Sequence, residues 1–177
     1  DCTFRNSFGY GNDCFEAAND ERIAILAYQS DFYVGPPYDL FPTPPNPNAV
    51  SAQSIISGFN KGIDTYGAME WGARATIWRT RFENNFYGYV ANGSNLDQIT
   101  ESTFQDNIYN TFFHHATNYT IAGNTFLNTN PDIAIDNDFG YGAINHQSAG
   151  GSRIFTNTFN GLYQGVTIEG SNSGLQI

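Results

Sequence analysis

Apolar residues recur in this chain at long, nearly constant intervals rather than at helical spacing. Phe82, Phe104 and Phe126 follow one another at 22 residues, Phe159 comes 33 later, and Phe59 stands 23 before Phe82. Five positions ahead of the four later phenylalanines stand Ile77, Ile99, Ile121 and Ile154, one aliphatic column. Two positions ahead stand Ser57, Thr80, Ser102, Asn124 and Asn157, a column of short hydrogen-bonding side chains. Seven and nine positions after come Tyr89 and Ala91, Thr111 and Phe113, Ile133 and Ile135, Val166 and Ile168. That alternation has period two, the mark of a strand with one face turned inward. A fixed period of roughly 20–50 residues marks a repeat architecture in which each unit stacks on the last. The reading is all-β: about six or seven coils of short strands joined by Asn- and Gly-rich turns. Ile should lie on Ile and Phe on Phe inside, with Asn, Ser and Thr ladders at the turns.

The phrases that carry the period are Ser102-Thr103-Phe104-Gln105-Asp106-Asn107, Gly123-Asn124-Thr125-Phe126-Leu127-Asn128 and Asn157-Thr158-Phe159-Asn160-Gly161. They resemble the right-handed parallel β-helix, in its Asn-Thr-Phe repeat type found in secreted bacterial proteins. A wider likeness runs from Ser54 to Gly93. There Gly58-Phe59-Asn60-Lys61-Gly62-Ile63 and Phe82-Glu83-Asn84-Asn85-Phe86-Tyr87-Gly88-Tyr89 look like coils of large surface proteins exported by Bacteroidetes through the type IX pathway. The resemblance implies the fold and a secreted or cell-surface location. It does not name an activity, because such helices carry lyases, hydrolases, epimerases and purely structural or adhesive shafts.

Residues 1–177 read as a single β-helix segment with two insertions. The first, near 29–50, holds Pro36-Pro37 and Pro42-Thr43-Pro44-Pro45-Asn46-Pro47. Proline at that density keeps a segment out of a sheet interior and predicts an extended surface loop. The second, near 137–151, lengthens one unit from 22 to 33 residues. Neither end shows an amphipathic capping helix, so the expected partners include further coils of the same polypeptide.

A net charge of −10 with only 7 Lys plus Arg leaves no basic footprint for nucleic acid, and no apolar run is long enough to insert in a membrane. Cys2 and Cys14 either close a local disulfide in an oxidising compartment or stand as buried thiols in adjacent coils. Strand alternation puts Asp132, Asp136 and Asp138 on one side, a set able to gather Ca2+ and otherwise a solvated acidic face. No other cofactor is indicated. His114 and His115 are adjacent, so alternation predicts opposite directions and no shared metal. Trp71, Trp78, Tyr87, Tyr109 and Tyr141 fall outside the inward columns. A row of rings at coil spacing makes a platform for sugar rings or another protein.

No opposed carboxylate pair stacks beside the Phe column, so no catalytic set is assigned and the reading leans away from an enzyme. The functional expectation is a structural or adhesive shaft of a secreted or cell-surface bacterial protein, contacting a glycan or a surface protein. The alternatives are a carbohydrate-active enzyme, lyase or hydrolase, and a carbohydrate-binding module.

Overall fold

The computed structural model describes residues 3–5, 22–35, 54–67, 74–129, 140–148 and 150–177. The first coil holds β1 (Thr3–Arg5), β2 (Ile23–Tyr28) and β3 (Phe32–Val34). The second holds β4 (Ser54–Ser57), β5 (Lys61–Tyr66) and β6 (Ala75–Trp78). The third holds β7 (Thr80–Glu83), β8 (Tyr87–Asn92) and β9 (Gln98–Thr100). The fourth holds β10 (Thr103–Gln105), β11 (Tyr109–His114) and β12 (Thr120–Ala122). The fifth holds β13 (Thr125–Leu127), β14 (Tyr141–His146) and β15 (Arg153–Phe155), and the sixth β16 (Thr158–Asn160) and β17 (Gln164–Glu169).

Every third strand pairs in parallel, giving three sheets ordered β1-β4-β7-β10-β13-β16, β2-β5-β8-β11-β14-β17 and β3-β6-β9-β12-β15. A bridge from Arg153 to Gln176 carries the third sheet into the last coil. The fold is therefore an all-β parallel β-helix of six coils among the described residues.

The aliphatic column is real. Ile77, Ile99, Ile121 and Ile154 lie in register with Val34 below them, and all five are buried. The phenylalanine column runs through Phe82, Phe104, Phe126 and Phe159, with ring centroids 4.7, 5.0 and 4.9 Å apart and near-parallel planes. Each such contact adds about 0.5–1.5 kcal/mol beyond burial itself.

Three sequence expectations shift. Phe59 is not in the column; Ile56 stands under Phe82, and Ser54 rather than Ser57 stands under Thr80. The 23-residue interval misled because the connection from β5 to β6 is four residues longer than that from β8 to β9. Ala143 and Asn145, not Ile133 and Ile135, pair with Thr111 and Phe113. Ten of the eleven extra residues of the long unit precede Tyr141, so β14 occupies much of the span read as the second loop. Residues 32–34 of the first insertion likewise form a strand.

The corners explain the short polar residues. Arg79, Glu101, Gly123 and Thr156 all take positive φ at one corner, Gly58, Asn84, Asp106 and Gly161 at the next. After such a residue the chain turns the following side chain inward, where it bonds the neighbouring coil. The backbone N–H of Thr80 donates to Ser102 Oγ (3.1 Å), that of Ser102 to Asn124 Oδ1 (2.9 Å), and that of Asn124 to Asn157 Oδ1 (2.9 Å). Asn124 Nδ2 donates in turn to the Ile99 carbonyl (2.8 Å). Asn85 and Asn107 build the same ladder at the next corner, 2.9 Å from amide N–H to Oδ1. The ladder asparagines follow the left-handed residue and are not left-handed themselves. They satisfy backbone groups that a tight corner would otherwise leave buried and unpaired.

The strands of the second sheet begin with a kink that turns two successive residues inward. At Gly88 an added Cβ would lie 2.6 Å from the Asn110 carbonyl oxygen and 2.9 Å from the Phe104 ring, so only glycine fits there. Further round the coil, Asp97 is fully buried. Its carboxylate accepts from the Ala75 N–H (2.9 Å), the Tyr89 hydroxyl (2.7 Å) and the Ser94 hydroxyl.

A candidate binding face on the second sheet

Register decides which side chains share the outer face of the second sheet. One column reads Lys61, Tyr87, Tyr109, Tyr141 and Gln164, taken in order from β5 to β17. Three residues along runs Asp64, Val90, Phe112, Ile144 and Thr167. The third outward column is Tyr66, Asn92, His114, His146 and Glu169. In-register parallel pairing brings side chains of equal rank within contact distance, so three tyrosines at one rank form a ladder.

The ring centroids of Tyr87 and Tyr109 are 4.8 Å apart, those of Tyr109 and Tyr141 5.2 Å, and both pairs are stacked. Phe86 meets Tyr87 and Tyr109 edge-on at 4.9 and 5.5 Å. Tyr163 closes the far end edge-on against Tyr141 at 5.7 Å. The expected flat platform is therefore a stack. Ring faces are turned to one another along the axis, and the half-buried ladder offers ring edges to the outside. Phe112, 6.1 Å from the Tyr87 ring, joins buried Val90 and Ile144 as an apolar floor beside it.

At one end of the ladder Lys61 Nζ lies 2.6 Å from Asp64 Oδ2 and 3.5 Å from the Tyr66 hydroxyl. Burial pulls the Lys61 ammonium down, but the hydrogen bond and charge of Asp64, helped by Tyr66, leave it above the ordinary lysine value. Burial raises the Tyr87 phenol, with Lys61 opposing. At the other side of the face, the His114 ring centroid is 4.1 Å from His115 and 4.9 Å from His146. Burial and the two neighbouring imidazoles hold His114 below the ordinary histidine value.

Tyr87, Tyr109 and Tyr141 are thus brought together as the sequence implied. Trp78 is not with them. It lies on β6 in the third sheet, with the Arg79 guanidinium 4.4 Å from its ring and Glu101 held 2.7 Å from Arg79 Nε. Trp71, the acidic set Asp132, Asp136 and Asp138, and Cys2 and Cys14 lie outside the described residues. The opposed directions expected for His114 and His115 are overturned. His115 sits past the end of β11 with φ of 53°, which breaks strand alternation and brings its ring beside that of His114. His146 went unnoticed in the sequence, although its 32-residue offset from His114 equals that of Tyr141 from Tyr109.

Among the described residues no helix is long and apolar enough to cross a membrane. Comparison with protein-family models, with curated proteins and with solved structures finds no match for this chain.

Proposed function

We propose that this chain is a shaft segment of a secreted or cell-surface protein, and that the outer face of its second sheet is adhesive. The observation that carries the reading is the Tyr87, Tyr109 and Tyr141 ladder, repeated in register over three coils on the outward side of a rigid sheet. Core columns do not require aromatic residues at an outward rank. Their repetition there, flanked by the apolar Phe112 strip and the polar Asn92, His114 and His146 column, makes an amphipathic surface with a linear repeat. Such a surface matches a linear glycan, whose sugar rings combine apolar C–H patches with hydroxyls. A net charge of −10 favours a neutral glycan over an acidic one. The location follows the resemblance of Ser54 to Gly93 to exported Bacteroidetes surface coils, and the type IX route belongs to the same proposal.

The test is an array of neutral and acidic polysaccharides probed with the wild-type chain and with Tyr109→Ala. The reading expects neutral glycans to be retained and Tyr109→Ala to lose at least tenfold in affinity. Retention of acidic glycans alone, or equal binding by the variant, would refute it. Capture of no glycan together with a saturable protein partner at the same face would replace glycan by protein.

A further inference from the structure

All three histidines of the chain meet at one place on the second sheet. His114 and His146 stand at equal rank on adjacent parallel strands, their ring centroids 4.9 Å apart and their planes 34° from parallel. His115 adds a third imidazole 4.1 Å from the first, and its backbone N–H donates to the His146 carbonyl (3.2 Å), tying the two coils together beneath the rings. The column continues to Asn92 on one side and to exposed Glu169 on the other.

We propose that His114 and His146 form a two-imidazole site for a borderline divalent transition ion, Zn2+, Ni2+ or Cu2+, with His115 as a third ligand. Imidazole suits these ions and not the hard cations Mg2+ and Ca2+. An ion about 2.0–2.1 Å from one nitrogen of each ring fits between centroids at that separation. Among the described residues no three His, Cys, Asp or Glu groups already surround one metal position. The in-register pair is therefore the core of the site. His115, exposed at the corner, reaches the ion by rotation of its side chain alone. Water or Glu169 completes the coordination. The site does not depend on the glycan reading, since it uses a different column of the face.

The experiment uses the chain with Cys2 and Cys14 replaced by Ser, which removes thiolates as competing ligands. Zn2+ and Ni2+ are titrated at pH 7.5 by calorimetry and by NMR of the imidazole ring signals. One ion per chain, with the His114 and His146 rings shifting together, is expected. His114→Gln or His146→Gln should weaken binding at least tenfold, His115→Gln by only a few-fold, and excess Mg2+ should not compete. No saturable binding up to 1 mM ion, or binding unchanged in the His114→Gln/His146→Gln double variant, would overturn the proposal. The wild-type ring shifts decide the matter even if the double variant fails to fold.

Discussion

Asn145 occupies a core position and contributes no hydrogen bond to it. It faces inward at the rank of Phe113 below and Ile168 above and is 1% exposed, yet neither amide atom has a partner. Each buried, unsatisfied group costs about 1–3 kcal/mol. Asn145→Val removes both groups, adds apolar burial of about 0.8 kcal/mol per methylene equivalent, and brings in a residue that favours strands. With part of this lost to imperfect fit, the variant should be more stable by about 2–4 kcal/mol. The matched control is Asn124→Val. That amide accepts from the Ser102 N–H and donates to Ile99 O and Asn157 Oδ1, at 2.9, 2.8 and 3.0 Å. Losing it orphans all three partners and should cost about 3–5 kcal/mol. Urea unfolding followed by circular dichroism reads both changes as midpoint shifts at constant slope. The same substitution must move the midpoint in opposite directions. If Asn145→Val leaves it unchanged or lowers it, the Asn145 amide is satisfied in solution and the reasoning fails.

Asp97 supplies a pH test. Burial holds its carboxyl above the ordinary aspartate value, with the bonds from Ser94, Ala75 and Tyr89 opposing. Its contribution to stability is therefore greatest below the unfolded value of about 3.9 and falls as pH rises through the folded value, by about 1.4 kcal/mol per unit of separation. Asp97→Asn should gain on wild type across that window, and urea midpoints that run parallel from pH 4 to 8 would contradict this. Ile121→Asn puts an amide into a dry aliphatic column and should cost about 3–6 kcal/mol, seen as early melting of the middle coils; an unchanged melt would count against the register. Thr156 is β-branched, exposed and at φ of 54°. Thr156→Gly should therefore stabilise by about 0.5–1 kcal/mol, and a lower melting temperature would refute the strain.

The sequence showed the fold wherever one unit repeats the next without a change of length. Ile77, Ile99 and Ile121 are 22 residues apart in sequence and one coil apart in space, so arithmetic and geometry coincide. Where a connection grows, arithmetic points to the wrong residue. Phe59 was chosen over Ile56 because it is aromatic and nearly on period, and Ile133 and Ile135 over Ala143 and Asn145 because their alternation is cleaner. Nothing in the sequence singles out an amide as the occupant of an inward rank. The tyrosine ladder was legible as three aromatic residues at one rank. Its stacking was not, because ring orientation depends on the spacing of coils along the axis. The histidine cluster was hidden for a different reason: alternation holds inside a strand, and His115 lies one residue beyond it, where the corner reverses the backbone.

The strands run across the rod, so the hydrogen bonds between coils point along it. A pull applied at the two tips loads those bonds in series, and the weakest coil opens first while the rest stay closed. Each opening releases one turn of chain, the 22 residues between Phe82 and Phe104 for example, or about 75 Å at about 3.4 Å per residue. A tether built this way lengthens in discrete steps under load and takes up the strain one turn at a time.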